Sequence, residues 1–260
     1  MSLTDEVKKL AIEMNADLVG VCSAENMVEG RGNLFEIMPD AKALVVIALE
    51  HFEPVLDSEN LQIIQYNVHQ LYHEIDRILY SLSRLLAKKG FKAVSIPAYL
   101  PVDMDKGSGL IGEVSLRHAA QCAGLGEMGL NRLLITPEYG PRVRLGALIT
   151  NADLTPDEPF KEKLCKREKC AICVKACPVG AISMQGEVNV PKCAPNILKY
   201  FIPGFVFAID KLAEQNASWK EIQEFARSPE CWKILQVLTT GMLYNCFNCM
   251  TSCPIGKTEK

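Results

Sequence analysis

CAICVKACPVGAI occupies residues 170–182 and CFNCMTSCP occupies residues 246–254. Both read Cys-x-x-Cys-x-x-x-Cys-Pro. A Cys-x-x-Cys pair puts two sulfurs on one tight loop, where they can grip neighbouring corners of a metal site. The proline then turns the chain away from the last cysteine. The chain holds 11 cysteines in all, and only Cys22 and Cys122 precede Cys165. The first residues, MSLTDEVKKL, carry no basic segment followed by an apolar core and no twin arginine. A cytoplasmic setting is the expectation, and there clustered cysteines signal metal more often than disulfides.

Each run has the form of a bacterial ferredoxin run without its first cysteine, and in two-cluster ferredoxins the last cysteine of each run ligates the other cluster. On that logic Cys170 and Cys173 join Cys253, while Cys246 and Cys249 join Cys177. Each group is one thiolate short of the four a 4Fe–4S cluster needs. Cys165, five residues before Cys170, can close the first set, and Cys193 in VPKCAPN can close the second. Cys231 or a non-cysteine ligand remains open for the corner given to Cys165. Cys22, Cys122 and Cys231 are left as free, buried thiols. The rival reading of the two runs is a pair of structural zinc sites.

Outward from the cysteines, the first 150 residues read as an α/β body. Thr4 can cap a first helix, with Val7, Leu10, Ala11 and Met14 on one face. DLVGVC (17–22), ALVVIAL (43–49), FKAVSI (91–96), 133–136 and 143–150 read as strands, the second as one buried on both faces. Apolar residues recur in steps of three and four from Leu61 to Leu86, which predicts a long amphipathic helix. A short helix follows over 114–123. NADLTPDEPF (151–160) reads as a junction, which divides the chain into an α/β domain over 1–155 and a cysteine-bearing domain over 156–260. Ser218 and Glu221 form a capping box in the helical insert between the two runs. The longest apolar stretch, 197–209, is too short to span a bilayer. The formal net charge of −3 gives no general attraction to nucleic acid, so none is expected as a partner.

AGLGEMG (123–129), LLITPEYGPRVRLGALIT (133–150), MPDAKALVVIALEHF (38–52) and the paired cysteine runs resemble the cobalamin-dependent reductive dehalogenases and epoxyqueuosine reductases. Epoxyqueuosine reductases carry a lone cysteine between their runs, and Cys193 matches it in position. The resemblance implies a nitroreductase-like domain that holds cobalamin beside a ferredoxin-like domain with two 4Fe–4S clusters. It places a base-off cobalamin against Gly124, Leu125, Gly126 and Glu127 on one loop and Tyr139, Gly140, Pro141 and Arg142 on another. This sequence also departs from the family. Arg167 stands where the first run's leading cysteine would be, and Leu110 stands where epoxyqueuosine reductases carry an acidic proton donor. Their helical-repeat tail for tRNA has no counterpart before Lys260.

Tyr99, Glu113 and His118 are the candidate proton donors, and Arg117 can meet a phosphate or other anion, or make an ordinary salt bridge. GSGLIG (107–112) spells Gly-x-Gly-x-x-Gly but lacks the strand and the acidic residue of a dinucleotide site. His69 and His73 read as a surface pair. The leading expectation is a reductase in which a low-potential donor feeds two clusters and then cobalamin. Its end use is a small substrate or the activation of a partner corrinoid protein. The alternatives are a two-cluster electron carrier without cobalamin and an epoxyqueuosine reductase acting on tRNA.

Overall fold

The computed structural model describes residues 1–27, 34–99, 112–240 and 246–257. Its centre is a four-stranded sheet built from β1 (Leu18–Ser23), β2 (Ala43–Glu50), β3 (Ala93–Ile96) and, after the two-stranded β4 (Glu127–Met128) and β5 (Leu134–Ile135), β6 (Val143–Thr150). The strand order is β1-β2-β6-β3, and every pairing is antiparallel. The chain is a mixed α/β protein, but its alternating helices and strands do not serve parallel crossovers.

Period-two side-chain alternation explains the continuous apolar run of β2. Val45, Ile47 and Leu49 enter one core with Ile75, Leu79 and Leu82 of the long helix Leu61–Lys88 and with Val7 and Ala11 of the first helix. Leu44 and Val46 enter a second core with Ala119 and Ala120 of the helix Leu116–Cys122. Burying side chains of this size stabilises the fold by about 1.5–3 kcal/mol each, so helices on both faces hold this sheet.

Local capping differs in detail from the sequence reading. Ser2, not Thr4, caps the first helix, through Asp5 N at 3.1 Å. Thr4 lies inside that helix, and its hydroxyl accepts from Thr155 N at 2.8 Å. The box formed by Ser218 and Glu221 is present. His69 and His73 are a surface pair with their Nε2 atoms 2.9 Å apart.

One expectation is corrected here. Cys22 and Cys122 are not free thiols: they form a disulfide between β1 and the helix Leu116–Cys122, with Cα atoms 5.3 Å apart. Their neighbourhood arises from strand–helix packing across a hundred residues, which no local spacing reveals. The segment 151–160, read as a junction, is hydrogen-bonded to the α/β body. Asp157 accepts from Val21 N at 2.7 Å and from Lys8 Nζ at 2.6 Å, and Phe160 N donates to the Gln121 carbonyl at 3.0 Å. This strap carries the chain across the body towards Cys165. A third core then joins Leu56, Ile64 and Val68 to Phe247 and Met250, so the second cysteine run packs on the long helix. Among the described residues, no helix is long and apolar enough to cross a membrane.

Candidate metal centres

Four local devices place the cysteines. Glu127 is buried, and its Oε2 accepts from Leu164 N at 2.7 Å and Cys165 N at 2.9 Å, which fixes the backbone at Cys165. Ala171 adopts φ 47°, turning the chain between Cys170 and the short helix Ile172–Lys175 that carries Cys173. Asn189 caps the helix Val190–Ile197 through Lys192 N at 3.0 Å, and Cys193 lies in its second turn. Buried Arg142 donates to the carbonyls of Cys253 at 3.1 Å and Ile255 at 2.5 Å, tying the end of the second run to the strand β6.

The cysteines face two neighbouring cavities. One, of about 210 Å³, is lined by Cys165, Cys170, Cys173 and Cys253 with Leu130, Ile135 and Ile255 among the apolar walls. The other, of about 620 Å³, is lined by Cys177, Cys193, Cys246 and Cys249. Asn131 borders both, and its Nδ2 donates to the Cys249 carbonyl at 3.0 Å. Cys231 lines neither. Among the described residues, no three His, Cys, Asp or Glu side chains converge on a point that would hold a single ion.

Electrostatics follow from this crowding. Burial raises the Cys173 thiol, and the neighbouring Cys165, Cys253 and Cys170 add to it. Burial likewise raises Cys193, with Cys177 and Cys246 adding. Burial first and its neighbours second push Cys249 up to about 12. Burial raises Cys253 too, and the Arg142 guanidinium opposes it. These thiols give up their protons only to a strong Lewis acid or a close cation.

The loops expected to cradle a corrinoid lie elsewhere. None of Gly124, Leu125, Gly126, Glu127, Tyr139, Gly140, Pro141 and Arg142 lines either cavity. A Cβ on Gly126 would strike the Ile135 carbonyl, and one on Gly140, at φ 56°, would strike the Ile255 carbonyl. Their glycine character therefore serves close packing of the chain on itself. Of the candidate proton donors, His118 borders the larger cavity, with Nδ1 2.6 Å from Ser115 Oγ. Tyr99 stacks on Tyr72 with ring centroids 4.9 Å apart, and neither it nor Glu113 lines either of these two cavities. Leu110 and residues 107–111 of GSGLIG fall outside the described residues. Arg117 lines the larger cavity, and so do Arg132 and Arg144, which the sequence reading did not single out.

No family model matches the chain. An epoxyqueuosine reductase of Listeria monocytogenes is 48% identical over 82 residues, 32% of this chain and 21% of that protein. A tetrachloroethene reductive dehalogenase of Desulfitobacterium hafniense is 34% identical over 152 residues, 57% of this chain and 25% of that protein. The matched region thus spans about a quarter or less of these relatives. Among solved structures, an epoxyqueuosine reductase with a tRNA stem loop superposes with a TM-score of 0.60 at 22% identity, over 98% of this chain and 65% of that one. A reductive dehalogenase structure, reported with a mechanism for B12-dependent dehalogenation, superposes with a TM-score of 0.58 at 23% identity, over 74% of this chain and 28% of that one. By sequence and by fold, the chain is a relative of the epoxyqueuosine reductases and the reductive dehalogenases.

Proposed function

We propose that the chain is an iron–sulfur reductase with two 4Fe–4S clusters. Cys165, Cys170, Cys173 and Cys253 hold one, and Cys177, Cys193, Cys246 and Cys249 hold the other. The observation that supports this reading is the pair of cavities, each lined by three cysteines drawn from the two runs and one from outside them, Cys165 or Cys193. Four thiolates suit the four irons of a cubane, and the ferredoxin-type spacing with its Cys-Pro endings favours a cluster over zinc. Bound there, such clusters carry single electrons at low potential.

The chain's own residues supply the rest. Glu127 and Arg142 fix the backbone at Cys165 and Cys253, at opposite ends of the first set. Leu130, Ile135 and Ile255 give the smaller cavity apolar walls. Asn131 forms a common wall, so clusters held in the two cavities would be neighbours. The larger cavity leaves room for an acceptor beside the second set.

A corrinoid is the acceptor the resemblance implies. At three of the eight loop residues, Gly124, Gly126 and Gly140, the chain's own backbone carbonyls already approach closely. A second reading, action on tRNA, draws on the epoxyqueuosine reductase solved with a stem loop. That likeness also removes the support for expecting no nucleic-acid partner.

Anaerobic reconstitution followed by a reductive titration tests the proposal. The protein should accept about two electrons per chain, one for each cluster, with paramagnetic signals in the reduced state. A preparation that takes up no electrons at low potential would sink it. Stoichiometric cob(II)alamin uptake by the same preparation would restore the corrinoid as acceptor.

A further inference from the structure

Cluster binding leaves part of the larger cavity unexplained. Four cysteines line each cavity, yet the volumes are about 620 and 210 Å³. A group that fills the smaller cavity leaves most of the larger one free. Arg117, Arg132 and Arg144 line that space, and Glu187 is the one carboxylate residue among its walls.

Among the described residues, none of the three guanidiniums pairs with a carboxylate. Arg117 Nη1 donates to the Arg132 carbonyl at 2.5 Å, and Arg132 Nε donates to the Gly186 carbonyl at 2.7 Å. The Nε of Arg144 is buried with no partner. Its guanidinium carbon lies 5.6 Å from the Tyr72 ring centroid and 5.9 Å from that of Phe247. Burial lowers the Arg117 pKa, and the like charge of Arg132 lowers it further. Arg117 and Arg132 reach solvent, but the buried Arg144 Nε is costly unless a ligand supplies its missing partner.

We propose that the larger cavity binds a small anionic substrate, a carboxylate or a phosphate ester, through Arg117, Arg132 and Arg144. Guanidinium forks suit the paired oxygens of such groups. Tyr72 and Phe247 hold the Arg144 fork in place. A small molecule fits because the three cations line a cavity. The inference rests on the proposed reductase only for the chemistry done on the bound anion.

The test is equilibrium dialysis of the reconstituted protein against radiolabelled inorganic phosphate and against benzoate, with iron measured on the same samples. At least one probe should bind saturably at millimolar concentration. Arg144→Gln and Arg132→Gln should each weaken it about tenfold or more, the effect of losing a charged hydrogen-bond partner. Arg144→Lys should recover part of the loss. Lys220→Gln, remote in sequence from the cavity's lining residues, should leave binding unchanged. Absence of saturable binding for both probes, or equal binding by all variants, would overturn the proposal. Binding of an RNA stem loop that the same variants abolish, with neither probe bound, would give the site to nucleic acid. Normal iron without anion binding contradicts this inference alone, whereas anion binding without iron contradicts the cluster reading alone.

Discussion

Cys193→Ala is expected to lower the iron of the reconstituted protein from about eight atoms per chain to about four. Cys193 stands alone on the helix Val190–Ile197, outside both cysteine runs, yet it lines the larger cavity with Cys177, Cys246 and Cys249. Its thiol is raised by burial and by Cys177 and Cys246, as a sulfur facing those two would be. Removing it opens one corner of one site and leaves the smaller cavity untouched. Iron analysis with spectroscopy of the reduced protein should therefore find one cluster spared. Cys231→Ala is the matched control, since Cys231 lines neither cavity, and it should retain all the iron. Full iron in Cys193→Ala, or equal loss in Cys231→Ala, would refute the assignment of the second set.

Arg142→Ala is expected to act on the other site and on stability together. The buried guanidinium satisfies two carbonyls, those of Cys253 and Ile255. Each buried carbonyl left without a donor costs about 1–3 kcal/mol. The positive charge beside the Cys253 thiol also goes, so its thiolate becomes harder to form. Denaturant unfolding should shift to lower concentration, and iron should be lost from the smaller cavity first. Arg142→Lys keeps a charge but not the two-pronged reach, so it should fall between the two. Unchanged unfolding with full iron would show that this clamp has no such role.

Much of the frame was legible in the sequence. The three- and four-residue steps from Leu61 to Leu86 mark the long helix, observed as Leu61–Lys88, because one face of it must meet the sheet. The unbroken apolar run of β2 announced burial on both faces. Strand direction was not legible, since helices between strands suit parallel crossovers as well as this antiparallel order. Spacing grouped the cysteines four and four, and the same groups line the two cavities.

The loops were harder. A glycine-rich segment such as AGLGEMG has one appearance whether a ligand or the chain itself approaches it, and here the Ile135 carbonyl does. Glu127 looked like part of a ligand loop but holds the amides of Leu164 and Cys165. Of the arginine cluster, the sequence marked Arg117 alone. Arg117 comes from a helix, Arg132 from a turn at φ 60° and Arg144 from β6, and only the packing of these three elements brings them to one cavity.

The most direct measurement is a joint count of iron, acid-labile sulfide and zinc on the wild-type chain after anaerobic purification and reconstitution. The two four-cysteine sites should give about eight iron and eight sulfide per chain, with negligible zinc. Zinc bound at one or two ions per chain without sulfide, or iron that stops near four, would contradict the two-cluster account.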